Sequence, residues 1–237
     1  MKASIIVFPG SNCDRDIAVS IKKLTDLEPI MVWHKETSIP NSDLIVIPGG
    51  FTFGDYLRCG SIAANSPIMN DVIKKATDGL PTLGICNGFQ ILTESGLLPG
   101  TLIKNDCLSF LCKTVSIRVE NNETNFSKKY KQNEVIDIPI AHNEGNFFAN
   151  EDTLKKIKDS NQIIFKYCNQ NGEVNNETNP NGSIENIAGI TNEQGNVLGM
   201  MPHPERATCE ITKLSDGENL FKSISEFLLW LKLRKKL

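Results

Sequence analysis

The sequence predicts an α/β protein in which a mostly parallel sheet is sandwiched by helices and carries an antiparallel extension. Three observations carry that prediction. Short runs of β-branched and apolar residues alternate with segments whose apolar residues recur at helical spacing, several of those runs end in glycine, and past Gly100 the runs become longer. Alternating strand and helix implies parallel strands with both faces covered, because each crossover helix lies back on the sheet it bridges.

The first strand is "SIIVF" (Ser4 to Phe8), ended by the turn "PGSN". Ile17, Ala18, Ile21 and Leu24 then give a helix one apolar face. "PIMVWH" and "DLIVIPGG" are the next two strands, and a helix near "SPIMNDVIKKA" follows the second. "PTLGI" is a fourth strand, with "GFQILTES" as its helix. "KTVSIRVEN" and "EVIDIPIAH" read as the longer strands of the antiparallel extension, ahead of "EDTLKKIKDS" and "IIFKYC". "CNQNGEVNNETNPNGS" is a polar, Asn-rich loop. "IENIAGIT" and "NVLGMM" form a closing hairpin around "NEQG". The last helix, "SDGENLFKSISEFLLWLKLRKKL", opens on a capping box of Ser215 with Glu218, and its basic end suits the negative pole of the helix dipole. Phe227, Leu228, Trp230 and Leu231 on that helix are assigned to the core. With neither repeat nor linker, residues 1–237 read as one domain.

At 237 residues the chain hides about three quarters of its surface on folding, enough for a core without staples. Its 25 basic and 28 acidic residues leave a net charge of −3 and no basic face for nucleic acid. The opening apolar run is too short for a signal peptide and no stretch approaches a membrane span, so the reading is cytosolic, with no membrane partner. Seven irregularly spaced cysteines then argue for free thiols. Cys107 and Cys112 are too far apart for a zinc knuckle, and His34, His142 and His203 lack paired ligands in sequence, so no metal site is expected. Neither a dinucleotide fingerprint nor a phosphate loop occurs, so the chain has no recognisable ATP site of its own.

Gly84, Cys86 and Gly88 in "LPTLGICNGFQIL" form Gly-x-Cys-x-Gly between a strand and a helix, the arrangement of a nucleophile elbow carrying sulfur. A sharp turn strains the nucleophile's backbone and brings chain close on both sides, which residues without a Cβ permit. The amino end of the following helix favours thiolate over thiol. A lone cysteine is ordinarily a small core residue, which is the reading for the other six. The two flanking glycines make Cys86 the exception.

A thiolate nucleophile needs a base, and "GMMPHPERA" supplies His203 with Glu205 two residues on. The residue before a proline is driven to extended backbone, where positions i and i+2 project to one side. Glu205 then fixes the imidazole's tautomer, leaving the other nitrogen to take the Cys86 proton and return it to the leaving amine. Gly49 and Gly50, directly after a strand, let a bare N–H approach a substrate and complete an oxyanion pocket with Asn87, each donor being worth about 3 kcal/mol of barrier; a double glycine by itself reads as a flexible turn.

Together, "PGSNCDRD", "PGGFTFGDYLRCGSIAANSPIM", "LGICNGFQIL", "IAHNEGNFF", "NPNGS" and "IAGITNEQGNVLGMMPHPERA" resemble the triad glutamine amidotransferases, and among these the family of glutaminase subunits of phosphoribosylformylglycinamidine synthase, over nearly the whole chain. The resemblance implies a flavodoxin-like fold. It also implies glutamine hydrolysis through a thioester on Cys86, and delivery of ammonia to a large ATP-using synthetase subunit, with ATP and magnesium there and none in this chain, beside a small bridging subunit of the same enzyme. The product is the amidine of formylglycinamide ribonucleotide, in purine biosynthesis. The family's catalytic residues fall on Cys86, His203 and Glu205, and its oxyanion donors on Gly50 and Asn87. Its glutamine-binding positions fall on Gln90 and on the strip His142, Asn143, Glu144 and Gly145. Asn143 departs from the small residue usual there and Phe53 from a common tyrosine. Tyr56 and Arg58 are either partner contacts or ordinary surface groups.

Two other readings compete. A non-catalytic scaffold of the same fold is opposed by the intact Cys86, His203 and Glu205. A related cysteine hydrolase or chaperone often places its base directly after the nucleophile, where this chain has Asn87.

Overall fold

The computed structural model of the protein describes residues 1–56, 58–208 and 214–234. Its central feature is a nine-stranded sheet. In chain order the strands are β1 (Lys2–Val7), β2 (Glu28–Trp33), β3 (Leu44–Ile47), β4 (Thr82–Ile85), β5 (Thr101–Ile103), β6 (Leu111–Val119), β7 (Val135–His142), β8 (Asn146–Phe148), β9 (Ile163–Cys168), β10 (Ile187–Thr191) and β11 (Val197–Met200). The large sheet runs β2-β1-β3-β4-β11-β10-β9-β6-β7, while β5 and β8 pair separately. From β2 to β11 the pairings are parallel, and from β11 to β7 they are antiparallel. The predicted fold class is thus present, with an antiparallel half as wide as the parallel one.

Burial follows from which faces are covered. The continuous apolar runs β3, β4, β10 and β11 are buried at every position, as strands covered on both sides must be. β7 alternates buried and half-buried residues, the signature of a strand covered on one side. The helices are α1 (Asp14–Leu24), α2 (Ser61–Ala64), α3 (Pro67–Thr77), α4 (Asn87–Glu94), α5 (Glu151–Asp159) and α6 (Glu218–Arg234). α1 packs on β1, β2 and α6, and α4 on β3, β4, β11 and α2. Among the described residues no helix is long and apolar enough to cross a membrane.

Three expectations change. α6 begins at Glu218 itself, so Ser215 stands ahead of the helix and meets it through its carbonyl, which accepts from the Glu218 amide at 3.0 Å; the capping box is not formed. Trp230 is 47 % exposed, because Leu220, Phe221, Ile224 and Leu228 make the inward stripe and position 230 falls off it. It stacks on Phe227 and lies under the Arg234 guanidinium. Phe227 and Leu231 are half-buried against the core and Leu228 is buried. Third, Ile184–Asn186 is a short 3-10 turn, so the closing hairpin begins at Ile187. Cys209 and the basic residues Lys235 and Lys236 lie outside the described residues; the six described cysteines are all free, and Cys107 and Cys112 are exposed, contrary to the core reading given them.

Candidate active site

β1, β3, β4 and β11 run in the same direction side by side, so the loops after them meet at one edge of the sheet, where open α/β folds bind ligands. Four stretches singled out in the sequence lie in those loops: "PGSNC", Gly49–Gly50, Cys86 and "PHPER".

Cys86 has φ 51° and ψ −106°, a backbone conformation seldom adopted by residues with a Cβ, and it directly precedes α4. The elbow's glycines are set by contact. A Cβ on Gly88 would stand 2.0 Å from the Ile47 carbonyl oxygen, and one on Gly84 2.7 Å from the Gly88 carbonyl oxygen. The Cys86 amide is held by the Met200 carbonyl at 2.8 Å, and its thiol, 4 % exposed, donates to the Ala141 carbonyl at 3.6 Å.

His203 is delivered by the loop after β11, the strand next to β4, and its amide donates to the Pro139 carbonyl at 2.8 Å. Its Nδ1 lies 2.7 Å from Glu205 Oε1, and both side chains are buried. The expected pairing is present, but on a different backbone: Pro204–Arg206 is a 3-10 turn, and only His203 before it is near-extended. Nε2 of His203 and Oε2 of Glu205 are buried without partners among the described residues. Burial, the largest single influence, opposes charge on His203. Glu205, Cys86 and Cys13 together overcome it and lift the imidazole well above its ordinary value. Cys86 and His203 line the same cavity, and the Cys86 thiol makes its hydrogen bond to the Ala141 carbonyl.

Of the two expected oxyanion groups, Gly50 lines the cavity that holds Cys86, and Asn87 is buried directly after Cys86 at the start of α4. Gly50 has φ 151° and its missing Cβ would collide with the Gly10 carbonyl oxygen at 2.3 Å, so the loop after β3 is pressed onto the loop after β1. The amides of Gly50 and Asn87 have no partner among the described residues. The Asn87 side chain accepts from the Thr52 amide at 3.2 Å and donates to Gln90 Oε1 at 2.7 Å.

A cavity of about 560 Å³ joins these parts, lined by Gly50, Asp55, Cys59, Cys86, Gln90, Lys104, Asn143, Glu144, His203 and Arg206 among others. His142 lines it too, so two of the three histidines that are remote in sequence share one site. Gln90 links helix to strip: its Nε2 donates to the Glu144 carbonyl at 2.6 Å. Gly145 packs on the His142 ring and its amide donates to Asn105 Oδ1 at 3.0 Å. Tyr56 is exposed, and Arg58 pairs with Glu94 at 2.8 Å.

Three supporting residues were given no individual role by the sequence, although Cys13 and Asn181 lie in quoted motifs. Asn105, fully buried, holds His142 Nδ1 at 3.0 Å and the His142 carbonyl at 3.0 Å. Asn181, in the Asn-rich loop, donates to the Gly145 carbonyl at 2.8 Å. Cys13 stands beside the His203–Glu205 pair: its sulfur, a His203 nitrogen and a Glu205 oxygen lie within 4.8 Å of one another, and Arg206 Nη2 is 3.2 Å from that sulfur. A thiol, an imidazole and a carboxylate are metal-type donors, but the guanidinium fixed against the sulfur opposes a cation there.

Burial, and then the neighbouring His203, lower the His142 pKa to about 4. The unfolded chain takes up a proton near the ordinary value of about 6.5, which the native protein does not until about 4. Stability from this residue is therefore present above about pH 6.5 and falls as pH drops to about 4, by roughly 3 kcal/mol in all. Urea unfolding of the parent and His142→Asn between these pH values should show the smaller slope in the variant.

The family model for the CobB/CobQ-like glutamine amidotransferase domain matches residues 1–228. The phosphoribosylformylglycinamidine synthase subunit PurQ of Synechocystis sp. is 57 % identical over 219 residues, which are 92 % of this chain and 98 % of that one. The subunit of the same name from Acaryochloris marina is 51 % identical over 97 % of each chain. Among solved structures, a chain of PurLQS from Thermotoga maritima superposes with a TM-score of 0.85 at 41 % identity, covering 96 % of this chain and 98 % of that one. The glutaminase domain of Trypanosoma brucei CTPS, at TM-score 0.60 and 13 % identity over 97 % and 94 % of the two chains, shares the fold alone.

Proposed function

Because the chain belongs to the family of glutamine amidotransferase domains, we propose that it is the glutaminase subunit of a phosphoribosylformylglycinamidine synthase. It hydrolyses glutamine to glutamate and ammonia within one domain. The observation that supports this most is that Cys86 and the Glu205-paired His203 line one cavity, with the Gly50 and Asn87 amides near Cys86 free of partners among the described residues.

His203 Nε2 takes the Cys86 proton, and the sulfur attacks the γ-carbonyl carbon of glutamine. The carbonyl oxygen becomes an oxyanion held by the Gly50 and Asn87 amides. As the C–N bond breaks, His203 returns the proton to the departing nitrogen, leaving ammonia and a γ-glutamyl thioester. A water molecule, deprotonated by His203, then cleaves the thioester and regenerates the thiol. Glu205 on Nδ1 keeps Nε2 as the working nitrogen throughout.

Ammonia passes to a large synthetase subunit, which uses ATP and magnesium to convert formylglycinamide ribonucleotide to its amidine, with a small bridging subunit in the same complex. Phe51 and Phe110 line the cavity and are 52 % and 62 % exposed; we place the large subunit over them. The direct test is labelling with a chloroketone analogue of glutamine. Peptide mapping should find Cys86 alkylated alone among the seven cysteines, with glutamine protecting it. An unlabelled Cys86 would support the scaffold reading.

A further inference from the structure

Arg206 directly follows the carboxylate that holds His203, yet it does not pair with it. Its Nη2 donates to the Cys13 sulfur at 3.2 Å and its Nε to Asp16 Oδ2 at 3.4 Å, while Glu205 Oε2 is buried without a partner among the described residues. A guanidinium ordinarily prefers a carboxylate to a thiol, because its fork matches two oxygens and the charges attract. An enclosed carboxylate oxygen beside a cation that is held on sulfur needs a cause.

The cause lies in where the chain puts Cys13. It ends the loop after β1 and directly precedes α1; its amide donates to the Gly49 carbonyl at 3.2 Å and its carbonyl accepts from the Ile17 amide at 3.2 Å. Its side chain is 3 % exposed and lies against the imidazole edge, since a Cβ on Gly49 would stand 3.3 Å from Cys13 Sγ and 3.3 Å from His203 Nδ1. The Glu205 backbone is tied to the same helix, its carbonyl accepting from Ser20 Oγ at 3.1 Å and also from Thr208 Oγ1 at 3.0 Å. The sulfur is thus a fixed neighbour of ring, carboxylate and guanidinium. As a weak acceptor it holds the guanidinium without drawing the Nδ1 hydrogen away from Glu205.

The charges around the pair agree with that arrangement. Burial pulls the Arg206 pKa down, and Cys13, Glu205 and Asp16 more than restore it. At His203 burial opposes charge, and Glu205 is the largest influence in favour, ahead of Cys86 and Cys13. From β7 His142 faces His203; Lys23 of α1 donates to the Thr208 carbonyl at 2.7 Å, and Glu218 of α6 is paired with Lys222 at 2.7 Å. A cation moved onto Glu205 would cancel part of the charge that sustains the imidazolium. We propose that Cys13 is a positioning residue that takes up the Arg206 guanidinium and so reserves Glu205 for His203; this rests on the glutaminase reading above.

The test follows the His203 imidazole against pH by NMR in the full chain, and the alkaline limb of kcat/KM for glutamine in the assembled complex. The imidazolium gives its proton to the departing nitrogen, so activity is lost as pH rises through the His203 midpoint. Cys13→Ala frees the guanidinium to reach Glu205, and should move the midpoint, and the limb with it, down by about one pH unit. Adding Arg206→Met should bring both back to the parental position or above it, because the cation released from sulfur is gone. Cys13→Ser, which keeps an acceptor in place, should shift them less than Cys13→Ala. A merely structural role gives no such recovery, since two cuts in the packing damage more than one. An unmoved midpoint in Cys13→Ala, or one that stays low in the double variant, would overturn the assignment. If Cys13→Ala does not fold, Cys13→Val, which fills the space without offering an acceptor, decides by the same midpoint. A parent that neither hydrolyses glutamine nor is labelled at Cys86 would bring down the glutaminase reading and this assignment together, whereas an active parent with an unmoved midpoint in the variant strikes Cys13 alone.

Discussion

Cys86→Ala is expected to lower glutamine hydrolysis by at least about 10⁴-fold, while the assembled enzyme goes on making the amidine from added ammonium. The two outcomes separate because only ammonia generation passes through the sulfur. Alanine fits the space of the buried side chain, and at φ 51° it carries the same backbone penalty as cysteine, so the elbow has no new reason to move. The loss is therefore chemical, not structural. Amidine formation measured with glutamine and with ammonium on one preparation checks it; loss of both would contradict the division of labour between the subunits.

Gly88→Ala should cost the fold as well as the activity. Its Cβ would meet the Ile47 carbonyl oxygen at 2.0 Å, backbone against backbone, with no flexible side chain to give way. Relief requires α4 to lift from the end of β3, which carries Asn87 away from Gly50 and turns the Cys86 sulfur. We expect about 4 kcal/mol of destabilisation, at the upper end for single substitutions, together with loss of glutamine hydrolysis. Urea denaturation gives the first quantity and a glutaminase assay the second. A variant of near-parental stability and activity would mean that the close approach does not constrain the elbow.

Much of this was legible in the chain because it rests on local rules. Unbroken apolar runs announced strands covered on both faces, and the order of strands and helices set the parallel half. The elbow was readable since its glycines report contacts that only a missing Cβ allows. His203 and Glu205 were readable as a pair because they stand two apart, although the proline argument assigned extended chain where a 3-10 turn does the work. What escaped depends on distant packing. β5 and β8 are three-residue strands that find each other across more than forty positions of chain, too short for periodicity to register. Asn105 and Asn181 look like ordinary loop residues, and only burial among the strip's carbonyls gives them a task. Cys13 sits in a quoted motif, yet nothing in its neighbours tells that its sulfur will receive a guanidinium. Trp230 was misplaced because an aromatic in an apolar run was credited to the core without regard to its angle around the helix.

The strand that joins the two halves of the sheet, β11, is the last of the described strands in chain order. A ribosome must finish Val197–Met200 before β4 and β10 have anything between them. Until then a nascent polypeptide exposes two open hydrogen-bonding borders, an invitation to mispairing and to chaperone capture. Closure then depends on contacts made across most of the chain, the kind that slows folding. The same order of events keeps the nucleophile without its proton acceptor until position 203 has been translated, so a product cut short before it is inert instead of wasteful.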